Sequence, residues 1–283
     1  MQKKIDQVKT LLDALPYIKQ YRNEIFVVKY GGSAQINPDL KEKFAQDILL
    51  MYLVGIRPVI VHGGGNKISA LLDKLQLGST FVDGLRVTDE HVMEVVEMVL
   101  SGNINKEITT LINHHGAKAL GISGKDAGFI KAKPINAQKY GLVGKITHID
   151  ASVVQNLIAE KFIPVIAPIG ADEEASHPGY NINADLAASR IAASIGAKKI
   201  IFMTDIPGVL DQEGTLLDTL TNHQISTLKQ DGTIHGGMIP KVDACMEAVE
   251  GGVEKAHIID GRVEHALLLE VFTNDGVGTV IRQ

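Results

Sequence analysis

Residues 25–34 read "IFVVKYGGSA" and put a lysine where a buried strand ought to be apolar. Ile25, Phe26, Val27 and Val28 form a continuous hydrophobic run, the pattern of a parallel-sheet strand covered on both faces. Lys29 follows at once, and Gly31 and Gly32 then break the strand. An ammonium group is carried to the end of the first core strand, beside two residues with no side chain.

Outward from this stretch, strand and helix patterns alternate. A helical pattern over 39–55 leads to the strand "PVIVH" at 58–62 and a helix over 66–77. Helical spacing fills much of 89–115, with Thr88 placed to cap it. "AKALGIS" reads as a strand, and "GFIKAKPI" with "GLVGKITHI" as a hairpin. A helix at 152–161 precedes "FIPVIAPIG"; another at 184–195 precedes "KKIIFMTDI". Helices near 238–250 and 264–271 flank "KAHIID". Such βα alternation predicts an α/β fold, a three-layer αβα sandwich around a mostly parallel central sheet. Ligands are expected at the carboxyl ends of its strands.

Bulk properties narrow the function. The chain has 283 residues, enough for one large α/β unit or two lobes, with 45% apolar and 22% charged residues. A net charge of −5 argues against nucleic acid or an anionic membrane as the main partner. Cys245 is the single cysteine and reads as a helix core residue, so neither disulfides nor a cysteine zinc site is expected. No apolar run is long enough to span a membrane, and the N-terminus lacks the features of an export signal, which implies a cytoplasmic protein. Ile5, Val8, Leu11, Leu12 and Leu15 recur at helical spacing before the first core strand. Pro16 is expected to kink or end that helix.

Three glycine-rich segments stand where strands end: "KYGGS" at 29–33, "HGGGN" at 62–66 and "HGGMIPK" at 235–241. Backbone amides at a helix start, unobstructed by side chains, make an anion site. Each alone fits a tight strand-to-helix turn equally well; three in one α/β chain are harder to dismiss. A dinucleotide fingerprint fails at Ile68, where glycine is needed, and no P-loop occurs. In "NINAD" at 181–185, Asn183 is placed as an N-cap, which puts Asp185 in the first helical turn, where the dipole favours a carboxylate. Arg86 in "DGLRVTDE" offers a planar guanidinium suited to a carboxylate. His62 reads as a packing residue, and the histidines show no metal spacing.

Together these residues resemble the amino-acid kinase family, and within it the branch acting on N-acetylglutamate. The motifs run in family order from residue 25 onward: "VVKYGGSA", "VIVHGGGN", "VDGLRVTD", "GISGKDAG", "YNINADLAA", "FMTDIPGV" and "GGMIPKVDAC". The resemblance implies ATP with Mg²⁺ as phosphoryl donor and N-acetyl-L-glutamate as acceptor. It implies that Lys29 and Lys241 stabilise charge on the phosphoryl group in flight and that Asp185 orients both. Gly64, Gly65, Arg86 and Asn181 match substrate-binding positions. Gly31, Gly32, Thr204, Asp205, Gly208, Gly237 and Met238 match the nucleotide site. No dedicated protein metal site is implied, because the magnesium travels with ATP and water.

The resemblance also divides the chain into an arm at 1–24, a substrate lobe at 25–196 and a nucleotide lobe at 197–283. Arginine-inhibited members share the extra N-terminal helix, which links dimers into a hexamer, a trimer of dimers. They also share a C-terminal stretch in which Glu270 and the turn at Gly276 match contacts to the arginine effector. The rivals are another acyl-phosphate kinase, acting on glutamate, aspartate or carbamate, and a non-catalytic arginine-sensing scaffold.

Overall fold

The computed structural model describes residues 1–273 and 276–283, with the side chains of residues 2, 3, 6, 7 and 10 set aside. Helix α1 (Gln2–Tyr21) precedes β1 (Ile25–Tyr30), α2 (Pro38–Leu53), β2 (Arg57–His62) and α3 (Gly65–Lys74). A small hairpin of β3 (Phe81–Val82) and β4 (Leu85–Arg86) follows. Helix α4 (Glu90–Glu97) runs through a π-helical stretch, Met98–Ile104, into α5 (Asn105–His114). After β5 (Ala119–Ser123) comes the hairpin of β6 (Ile130–Pro134) and β7 (Gly144–Ile149), joined through α6 (Ala137–Tyr140). Then come α7 (Ala151–Ala159), β8 (Ile163–Ala167), the paired β9 (Ile169–Gly170) and β10 (Tyr180–Asn181), and α8 (Ala184–Ser194). The chain closes with β11 (Lys199–Thr204), β12 (Thr219–Thr221), α9 (Asn222–Gln230), α10 (Ile239–Glu250), β13 (Lys255–Asp260), α11 (Ala266–Phe272) and β14 (Thr279–Arg282).

Eight strands form the central sheet in the order β12-β14-β13-β11-β1-β2-β8-β5. Every pairing in it is parallel except β13 with β14. One apolar cluster packs Phe26, Val28 and Ile60 against α2, α4, α5 and α11. The opposite cluster packs Val27, Val59 and Val61 against α7, α8, α9 and α10. The period-two alternation of β1 therefore puts Lys29 on the same face as Val27, toward α8 and α10. It puts Tyr30 on the other face, where its ring stacks on Phe44 with centroids 3.8 Å apart.

Several expectations need correction. Pro16 does not end helix α1, which continues to Tyr21. Proline there forfeits one backbone bond, but the last turn is held by Tyr21 packing edge-on against Phe26, centroids 5.1 Å apart. Thr88 does not cap the following helix. Asp89 does, accepting from Val92 N at 2.8 Å, while Thr88 is buried with its hydroxyl on Arg86 O at 2.8 Å. The C-terminal residues form strand β14; β12 was not evident because it has three residues, and α9 because it buries only Ile225 and so carries no apolar stripe. Among the described residues, no helix is long and apolar enough to cross a membrane. Cys245 is buried in α10, as expected, and burial pushes its thiol pKa up.

Candidate active site

Strands β1, β2 and β11 end side by side, with Tyr30 paired to His62 and Lys29 to Phe202. Their carboxyl ends bring the glycine turns at 31–33 and 63–65 next to the loop after Thr204. Asn183 caps α8, accepting from Asp185 N at 2.9 Å and Leu186 N at 3.1 Å, which fixes Asp185 in the first turn. Asp185 thus meets Lys29, whose Nζ lies 2.8 Å from Oδ1. Lys241, in the first turn of α10, places its Nζ 3.8 Å from Oδ2. One carboxylate lies between two ammonium groups. Burial works to raise the Asp185 pKa, but Lys29 and then Lys241 outweigh it, so the carboxyl stays ionised below its ordinary range.

Beside this triad opens a cleft of about 610 Å³, lined by Lys29, Gly32, Thr204, Asp205, Gly208, Gly237, Met238 and Lys241. The three motif segments expected to touch nucleotide therefore meet there. Their individual duties differ from a simple contact list. Asp205 Oδ1 accepts from both Ser33 N and Ser33 Oγ at 2.7 Å, so it latches the first glycine turn to the end of β11. Gly32 has φ +70, and a Cβ there would sit 2.5 Å from Asp205 Oδ1. Glycine is required on both counts. Thr204 is buried and spends its hydroxyl on Ile206 O at 3.0 Å. Gly208 lines the cleft and is pressed against Thr279, where a Cβ would lie 2.5 Å from Thr279 Oγ1. Leu210, Gln212, Thr233 and His235 also line the cleft. Leu210, Gln212 and Thr233 lie in loops without motif or period, and nothing in the sequence marked them; His235 opens the third glycine-rich segment but was not singled out.

On the other side, Gly64 packs against the π-helical stretch: a Cβ would meet Ile104 and Leu100 within 2.6 Å. Gly65 faces open space. Arg86 is 7% exposed, its guanidinium 4.6 Å over the Phe81 ring. It donates to Ser79 Oγ, to Gly65 O at 2.9 Å and to Ser69 Oγ at 3.0 Å, all neutral partners. Burial pulls its pKa down, against the pull of Asp73, yet no shift of this kind discharges an arginine. A buried cation whose hydrogen bonds to Ser79, Gly65 and Ser69 all go to neutral groups favours an incoming anion. Asn181 joins the same group by donating to Thr88 Oγ1 at 3.1 Å.

Glu270 and Gly276 are brought together far from this site. Gly276 has φ +60, and a Cβ there would lie 2.9 Å from Glu270 Oε2. Glu270 accepts from Val277 N at 2.8 Å and from His257 Nδ1 at 2.6 Å. Both residues line a separate cavity of about 730 Å³ with Tyr21, Lys199, Lys255 and Arg282.

A parallel sheet, glycine turns at its carboxyl edge and two lysines on one carboxylate define a phosphoryl-transfer enzyme of the α/β class. The profile of the amino acid kinase family matches residues 24–260, and the chain belongs to that family. It is 66% identical over 281 residues to the acetylglutamate kinase of a Nitratiruptor species, covering 99% of each chain. It is 65% identical to the acetylglutamate kinase of Sulfurimonas denitrificans, again over 99% of both. Among solved structures it is similar to N-acetylglutamate synthase from Neisseria gonorrhoeae complexed with coenzyme A and N-acetyl-glutamate. There the TM-score is 0.86 at 25% identity, with 98% of this chain covering 63% of that one.

Proposed function

We infer that this chain transfers the γ-phosphoryl group of ATP to the γ-carboxylate of N-acetyl-L-glutamate, forming an acyl phosphate in arginine biosynthesis. The observation that carries the reading is the Asp185 carboxylate shared by Lys29 and Lys241 at the mouth of the cleft. The acceptor carboxylate is ionised at neutral pH, so no general base is needed. Catalysis reduces to aligning two anions and neutralising charge that spreads over the transferred group. Lys29 and Lys241 supply fixed positive charge, and Asp185 holds their ammonium groups in place. Amides of Gly31, Gly32, Gly64, Gly65 and Gly237 approach the phosphates, and Met238 lines the cleft beside them.

Arg86 receives a carboxylate of the acceptor, displacing the Ser69 and Ser79 hydroxyls, with Gly65 bonded to it directly and Asn181 linked through Thr88. Among the described residues, no group of three acidic, histidine or cysteine side chains could hold a metal. A magnesium ion carried on the nucleotide phosphates would neutralise part of their charge. The cleft residues fall mainly within 203–241 and the acceptor residues within 64–181, which supports nucleotide and substrate lobes over 197–283 and 25–196.

Arginine is the feedback inhibitor in this reading, bound in the cavity around Glu270. His257 donates from Nδ1 to Glu270, which leaves Nε2 as a buried acceptor without a partner among the described residues. Glu270 and His257 suit a cationic side chain, and Lys199, Lys255 and Arg282 suit the carboxylate of an amino acid. The exposed apolar face of α1 joins dimers into a hexamer. Initial rates with N-acetylglutamate, titrated with arginine, test both halves. Glu270→Gln should raise the arginine concentration for half-inhibition at least about tenfold and leave uninhibited turnover unchanged.

A further inference from the structure

Two buried side chains outside the reaction centre converge on one backbone carbonyl in the second glycine turn. His62 Nδ1 lies 3.1 Å from Gly63 O, and Gln35 Nε2 lies 3.3 Å from the same atom. Gln35 Nε2 also donates to Tyr30 O at 2.9 Å, and Gly63 N donates to Tyr30 O at 3.0 Å. Gln35 closes the 3₁₀ turn Gly32–Gln35, which carries Ser33 and follows directly on Gly31. It is thus a strut between the two glycine turns.

The His62 tautomer follows from its surroundings. Its Nε2 lies 3.2 Å from Asn105 Nδ2, which also faces Val165 O at 2.8 Å and Ile122 O at 3.3 Å. Two carbonyls fix Asn105 as the donor, so Nε2 accepts and Nδ1 carries the hydrogen. The imidazole is fully buried, and burial drives its pKa down to about 4, so it stays neutral.

In a trans peptide the carbonyl oxygen and the next amide hydrogen point in opposite directions. Holding Gly63 O toward His62 and Gln35 therefore aims Gly64 N–H the other way. Helix α3 has no side-chain cap, so its first amides remain available to a ligand. We infer that His62 and Gln35 are positioning residues, which aim the Gly64 amide at the group in transfer and lock the acceptor turn to the phosphoryl turn. This rests on the reading of the 63–65 turn as anion-facing.

Paired substitutions at His62 test it, because the amide nitrogen of asparagine falls near Nδ1 and that of glutamine near Nε2. Steady-state kinetics with ATP and N-acetylglutamate, run below every variant's unfolding midpoint, give the readout. His62→Gln and Gln35→Leu should each lower kcat by ~10–100-fold, the range expected of a misplaced group, with both KM values within about threefold of the parent. His62→Asn should retain at least about tenfold more kcat than His62→Gln. Parental kcat in Gln35→Leu or His62→Gln overturns the proposal, as does equal loss in the two His62 variants. If His62→Gln does not fold, Gln35→Leu decides alone. Lys29→Met serves as the control: parental activity there overturns the catalytic reading itself and is distinguishable from either result.

Discussion

Lys29 Nζ and Asp185 Oδ1 stand 2.8 Å apart, joining the end of the first core strand to the first turn of α8. The contact follows from two local rules. Strand alternation turns Lys29 toward the α8 face, and the Asn183 cap fixes where α8 begins. Lys241 approaches the other carboxylate oxygen from the start of α10, so three segments remote in sequence share one charge cluster.

Lys241→Met should keep the fold and lower kcat by ~10²–10³, the loss expected when one preorganised charge stabiliser is removed. Methionine preserves most of the stem and deletes the ammonium. Circular dichroism with initial-rate kinetics checks it, and near-parental turnover would assign Lys241 a structural role.

Arg86→Lys should raise the KM for N-acetylglutamate at least about tenfold while changing that for ATP little. Lysine keeps the charge and loses the fork that now spans Ser79, Gly65 and Ser69. Separate substrate titrations decide, and equal effects on both KM values would make Arg86 a packing residue.

Buried Asp47 pairs with the half-exposed His265 and ties α2 to the start of α11. Burial raises the Asp47 pKa to about 6, against hydrogen bonding and charge from His265. A carboxyl whose folded pKa is raised binds its proton more tightly in the native state. Its contribution is therefore fully present below the unfolded value, ~3.9, and is lost as pH rises toward 6. Asp47→Asn should remove that loss. Its unfolding midpoint relative to the parent should be higher at pH 7 than at pH 4, and a pH-independent difference would count against the assignment.

Deleting residues 1–22 should convert a hexamer to a dimer and weaken arginine inhibition, leaving uninhibited turnover largely intact. Ile5, Val8, Leu11, Leu12 and Leu15 are all at least 40% exposed, so the periodic face of α1 finds no place in its own core. Light scattering and an arginine titration on the truncated chain test this. A hexamer with full arginine sensitivity would contradict it.

The sheet was legible because its strands are short apolar runs ending in glycine, and the hairpin at 130–149 because its two halves share a turn. The charge cluster was legible because Lys29, Asp185 and Lys241 each sit at a strand end or helix start, where sequence signals are strongest. What sequence could not show is division of labour within a motif. Asp205 latches Ser33, Thr204 spends its hydroxyl on its own turn, and Gly64 is small because Ile104 and Leu100 press against it. Each depends on a contact between distant segments. The Thr88 assignment failed for a related reason: threonine and aspartate are both good caps, and only burial of Thr88 against Asn181 and Arg86 decides between them.

The most direct test of the central claim is ADP release by the purified chain with Mg-ATP and each of N-acetyl-L-glutamate, glutamate, aspartate and carbamate, with the acyl phosphate trapped as its hydroxamate. N-acetylglutamate should give turnover and hydroxamate at a kcat/KM at least about a hundredfold above the others, because the free α-ammonium of glutamate or aspartate would enter beside the Arg86 cation and carbamate has no second carboxylate for it to grip. Turnover that favours another acid, or no acyl phosphate with any of them, would contradict it.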